Sequence, residues 1–278
     1  MSVRGRGSAA TQAGAGIPMA TDIAFALGIL SLLGKRVPLS LKIFLTALAV
    51  IDDLGAILVI AIFYTQNLVY SNLFIALGIF ALLLVFNRLK VRNLIPYLVG
   101  GVAMWYFMLH SGVHATITGV LLAFAIPFGN GDKKSSSYIL QSLLHQPVAL
   151  IILPLFALAN TAIVLSGDIG QTLSQHYSMG IALGLIVGKP LGIFLFTFLA
   201  VTFGICKLPS NINWKSFIAV GFLGGIGFTM SIFITLLAFD NQSIINNAKF
   251  VILLSSFVAG IIGFFSLKFS LKPIKKSS

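Results

Sequence analysis

Residues Leu41–Thr65 read LKIFLTALAVIDDLGAILVIAIFYT, and the kind of protein follows from them. The run is slightly longer than the roughly 20 apolar residues needed to cross the hydrocarbon core as a helix. Near its middle stand two adjacent carboxylates, Asp52 and Asp53. A carboxylate at bilayer depth costs about 2.5–3.5 kcal/mol on insertion scales. Two side by side exceed what an anchor needs, and they mark a site that handles a cation or a proton.

The rest of the chain fits that reading. Its 278 residues are 58% hydrophobic and only 9% charged, against roughly 25% charged for a soluble domain. Apolar runs recur throughout, so the fold class expected is all-α, a polytopic membrane bundle. The six acidic residues are all Asp, and Asp22, Asp52 and Asp53 fall in apolar stretches. A net charge of +12 can indicate nucleic acid. Here the cations lie in short connections between apolar runs, the pattern of the positive-inside rule. Membrane lipid is therefore the expected partner and nucleic acid is not. The single Cys206 excludes an internal disulfide and a cysteine metal cluster.

Taken in order, residues 1–16 are small, Gly-rich and polar, a flexible or non-native start. Residues 17–278 form one transmembrane domain. Apolar segments near 18–33, 41–65, 73–86, 94–109, 113–126, 138–165, 178–204, 217–239 and 246–267 make nine. Connections 66–72, 110–112, 166–177 and 240–245 lack Lys and Arg, whereas the alternate ones and the tail each carry Lys, Arg or both. That asymmetry puts the C-terminus in the cytoplasm. It also leaves Arg4 and Arg6 outside, so missing N-terminal helices are expected.

The polar residues inside the segments are few. Asp52 and Asp53 project about 100° apart on a helix, so one can face a cavity and the other a neighbouring helix. Lys189 lies mid-segment in ALGLIVGKPLGIFLF. It reads either as a permanent scaffold partner of an Asp or as a cation released when a metal ion or proton arrives. Thr21-Asp22 and GGIGFTMS (224–231) read as two helix interruptions, with close helix packing the plainer alternative for the glycines. Half-helix ends carry partial charge. Asp22 suits two N-terminal ends and Lys189 two C-terminal ends. His114 and His145 are candidates for a pH response, since free imidazole titrates at about 6.5, although a packing or interfacial role is the simpler reading of each.

ATDIAFALG (20–28), LAVIDDLGAI (48–57), SGVHATITGVLLAF (111–124), LPLFALANT (153–161), VGKPLGI (187–193) and GGIGFTMSIFI (224–234) together resemble the NhaA-type sodium/proton antiporter family. The resemblance runs from about Gly16 to the end. It implies a helical bundle with inverted repeats and two crossed, interrupted helices, an architecture for which the family is a standing example. It implies that Asp52 and Asp53 bind the transported Na+ or proton, with Asp22, Thr21 and Lys189 supporting them. Gly224, Gly225, Gly227, Thr229 and Ser231 fall in the second interrupted helix. It further implies electrogenic exchange of Na+ or Li+ for H+ in the inner membrane, serving pH homeostasis. Against that pattern about three leading helices are expected to be missing. The chain also departs from it in SSSYILQSLLHQP (135–147), where the family carries a glutamate and clustered histidines.

The expectation is thus a multi-pass inner-membrane antiporter, not an enzyme, with no cofactor beyond the transported Na+, Li+ and H+. Homodimer formation is left open. A sodium-coupled solute symporter is the nearest rival, but no polar cluster for an organic substrate is evident. An intramembrane aspartyl protease would share a proton between two separate Asp, which adjacent carboxylates beside a lysine do not favour. An inactive truncated product is the third alternative.

Overall fold

The computed structural model describes residues 13–63, 68–129, 132–133, 135–161, 163, 169–209 and 212–271. Among them the secondary structure is helical. A 3-10 helix, Ala13–Met19, opens the fold. It is followed by α1 (Ile23–Leu32), α2 (Leu39–Phe63), α3 (Tyr70–Arg88), α4 (Ile95–Leu109), α5 (Thr116–Ala125), α6 (Ser136–Pro147) and α7 (Leu153–Thr161). Then come α8 (Ile169–Ser174), α9 (His176–Leu183), α10 (Lys189–Thr202), α11 (Trp214–Gly224), α12 (Phe228–Ala238) and α13 (Gln242–Ser270). Of the flexible start expected over residues 1–16, residues 1–12 lie outside the described residues, and Ala13–Gly16 belong to the 3-10 helix.

Among the described residues six stretches are long and apolar enough to cross a membrane, and a seventh arises if α11 and α12, bent by 43°, are taken as one span. Helices α4 and α5 are apolar but shorter. The nine segments expected from sequence include these two, which length alone does not admit. The expected polar loop over 166–177 contains a short helix, Ile169–Ser174.

Two helices widen into π turns, Val148–Ile152 between α6 and α7 and Gly184–Gly188 between α9 and α10. Proline explains both. A proline lacks an N–H and crowds the carbonyl four residues earlier. For Pro154 that carbonyl belongs to Leu150, and for Pro190 to Ile186, each inside a π turn. The second widening ends directly before Lys189.

The chain forms two compact units, residues 1–56 with 160–278, and residues 57–159. In the first, Ala26, Leu30, Leu41, Leu45, Val220 and Leu223 are fully buried and form the centre of its apolar core. In the second, Ala76, Leu83, Tyr97, Met104 and Ala125 do the same. Many Leu, Ile and Phe side chains on the helices remain exposed, as on Phe196, Phe257 and Phe269. Water would penalise such a surface, whereas lipid suits it.

Candidate functional site

The site lies in the first unit, where two broken helices meet. The first break falls between Met19 and Ile23, the second between Gly224 and Phe228. The Asp22 N–H donates to the Ile226 carbonyl at 2.6 Å, so the breaks are joined through their backbones. Glycine is required on the second one. A Cβ at Gly225 would stand 2.3 Å from the Leu185 carbonyl oxygen, inside the π turn.

Each broken helix exposes positive N–H groups at a new start and negative C=O groups at a new end. Asp22, 3% exposed, serves both starts. Its Oδ1 accepts from Phe25 N–H in the first turn of α1. Its Oδ2 accepts from the Thr229 N–H at 3.0 Å and from the Thr229 hydroxyl at the start of α12. Ser256 of α13 completes that start by accepting from the Phe228 N–H. Ser231 donates to the Ile17 carbonyl, a second tie between the two broken helices.

The two ends are served differently from the sequence expectation. Lys189 Nζ donates to the Met19 carbonyl at 2.7 Å, the end of the 3-10 helix. The other end, the Gly224 carbonyl, receives instead the Thr21 hydroxyl at 2.9 Å. Lys189 takes one helix end, and Thr21, 203 residues from Gly224 in sequence, stands within hydrogen-bond distance of the other.

The carboxylate pair is equally unequal. Lys189 Nζ lies 3.0 Å from Asp52 Oδ2 and 2.6 Å from Thr21 Oγ1. Thr21 Oγ1 is also 2.7 Å from Asp52 Oδ2. Asp52 and Lys189 line a cleft of about 540 Å³ together with Pro18, Met19, Phe44 and Leu48. Asp53 points elsewhere on α2, as a rotation of about 100° per residue requires. Its Oδ1 is buried with no hydrogen-bond partner among the described residues. A carboxylate oxygen in that position can accept a proton or a hard cation. No group of three or more metal-ligating side chains occurs among the described residues.

The structure thus gathers Thr21, Asp22, Asp52, Asp53, Lys189, Gly224, Gly225, Gly227, Thr229 and Ser231 in one unit. It does not bring in the histidines. His114 is half-buried in the turn before α5 and His145 is exposed in the last turn of α6, both in the second unit. Sequence reasoning missed Ser256, which reads as one small residue among many in α13. It also missed Lys249, 6% exposed in the same helix, with no ion pair among the described residues. Its place two turns from a helix start makes it resemble an interfacial lysine.

Residues 3–267 match the family model described as Na+/H+ antiporter 1. A Flavobacterium psychrophilum protein named Na(+)/H(+) antiporter NhaA is 79% identical over 262 residues, 94% of this chain and 68% of that protein. A Flavobacterium johnsoniae relative, Na(+)/H(+) antiporter NhaA 1, is 62% identical over 96% of this chain and 70% of its own length. One from Dechloromonas aromatica, named Na(+)/H(+) antiporter NhaA, is 60% identical over 93% of this chain and 68% of its own. The chain spans about two-thirds of these relatives, and its paired membrane carboxylates and two joined broken helices sit inside the matched region. It belongs to the Na+/H+ antiporter 1 family.

Proposed function

We propose that the chain exchanges Na+, or Li+, for H+ across the cell inner membrane, with Asp52 and Asp53 as the site where cation and proton compete. The observation that carries this reading is the buried Asp53 Oδ1, which lacks a donor among the described residues while its neighbour Asp52 is held by Lys189 and Thr21. A buried acceptor without a partner is costly unless something fills it. A small cation or a proton fills it with the right charge. The names of the relatives, Na(+)/H(+) antiporters, support the same pair of ions.

In this mechanism Na+ and H+ exclude one another because each neutralises the same negative charge. Protonation releases Na+ on one side, and deprotonation recovers it on the other. Lys189 keeps Asp52 paired while the site is empty and yields when a cation or proton takes that charge. Exchange needs neither ATP nor a covalent intermediate, which is transport and not enzyme chemistry. Connections 66–72 and 240–245 lack Lys and Arg, while Lys35, Arg36, Lys207 and Lys215 crowd the opposite side. The basic side, with the C-terminus, is cytoplasmic on this account.

Inverted membrane vesicles carrying the chain, preset with a pH gradient, test the reading. Added Na+ should dissipate the gradient, and Asp53→Asn should abolish the response. Equal dissipation by both proteins would refute the site.

A further inference from the structure

Thr21 Oγ1 has three polar neighbours and one hydrogen. Lys189 Nζ lies at 2.6 Å, Asp52 Oδ2 at 2.7 Å and the Gly224 carbonyl oxygen at 2.9 Å. An ammonium only donates, so Lys189 uses one lone pair of the hydroxyl. Asp52, when ionised, and Gly224 O only accept. The single Thr21 hydrogen can satisfy one of them at a time.

Which acceptor receives it depends on the charge of Asp52. A hydrogen bond to a carboxylate is roughly twice as strong as one between neutral groups. With Asp52 ionised the hydrogen therefore lies on Asp52, and the Gly224 carbonyl is released. Once a proton or cation has neutralised Asp52, that advantage is gone and the hydrogen turns to Gly224. Gly224 is the last residue of α11, and the Gly225 and Ile226 N–H groups close the same turn on the Phe222 and Leu223 carbonyls. The break is closely packed, since a Cβ at Gly225 would meet the Leu185 carbonyl oxygen at 2.3 Å, in the π turn directly before Lys189.

We infer that Thr21 is a positioning residue, a one-hydrogen switch that reports the charge state of Asp52 to the break in the second crossed helix. The inference rests on the carboxylate site proposed above and adds the path by which occupancy of that site reaches a moving element. Neutral Asp52 tightens the end of α11, and ionised Asp52 loosens it. A hydroxyl is required, and a methyl in its place breaks the path without changing side-chain volume.

Amide hydrogen exchange of the full chain in detergent tests it, read over residues 222–231. Asp52→Asn stands in for the neutral carboxyl. In the wild-type and Thr21→Ser backgrounds, Asp52→Asn should slow exchange of the Gly225 and Ile226 amides on the order of threefold to tenfold. In the Thr21→Val background, Asp52→Asn should leave those amides unchanged. A merely structural Thr21 would shift the baseline but preserve the Asp52→Asn effect, so an equal effect in Thr21→Val overturns the switch. No effect in the wild-type background overturns it too. Sodium binding to the same samples is scored separately, so failure of the ion-site reading is visible apart from this comparison.

Discussion

Lys189 Nζ stands 3.0 Å from Asp52 Oδ2 and 2.7 Å from the Met19 carbonyl, so one ammonium binds a membrane carboxylate and the end of a broken helix at once. That double duty makes the lysine a stability element as well as a site residue. Removing one partner of a buried pair leaves the other charge uncompensated, at about 3–5 kcal/mol. Asp52 keeps 20% exposure, which lowers the cost. Lys189→Met should therefore destabilise the protein by about 2–4 kcal/mol, read as a lower thermal midpoint in detergent. Adding Asp52→Asn should recover most of that loss, because no unpaired charge remains.

Asp22 should be less forgiving than its lack of a cationic partner implies. Its oxygens receive two backbone N–H groups and one hydroxyl. Asp22→Asn replaces one acceptor with an NH2 group. Whichever way the amide turns, a backbone N–H then faces a donor. A loss of about 1–3 kcal/mol is expected, with the start of α1 or of α12 fraying first in hydrogen exchange.

Much of this was legible in the chain itself. Asp52, Asp53, Asp22 and Lys189 stand out because charge is rare in apolar segments, and GGIGFTMS reads as a break because glycines cluster there with small hydroxyls. The partners were less legible. Thr21 with Gly224, Ser231 with Ile17 and Ser256 with Phe228 join residues 203, 214 and 28 apart. Local pattern does not encode such pairings; the packing of separate helices creates them. Lys249 escaped for the opposite reason, since its position near a helix start already had an ordinary explanation.

The glycines separate by what surrounds them. Gly225→Ala should cost about 1–3 kcal/mol, since its new Cβ would meet the rigid Leu185 carbonyl at 2.3 Å. Gly78 in α3 has nothing within 4 Å of the same position. Gly78→Ala should stabilise by about 0.5–1 kcal/mol, through helix propensity alone. Thermal midpoints of the two variants, measured side by side, check the contrast.

Competition between Na+ and H+ is the centre of the account, and proton release on sodium binding tests it most directly. The purified chain in weakly buffered detergent, with a pH indicator present, should release protons when NaCl is added. The same concentration of choline chloride should release none. For one competing proton, the apparent sodium affinity should rise with pH, by about tenfold per unit at most. The protons released per sodium bound should fall toward zero once the site is already deprotonated. Asp53→Asn should abolish both effects. Sodium binding that releases no protons across the whole pH range, or release that persists in Asp53→Asn, would contradict the account.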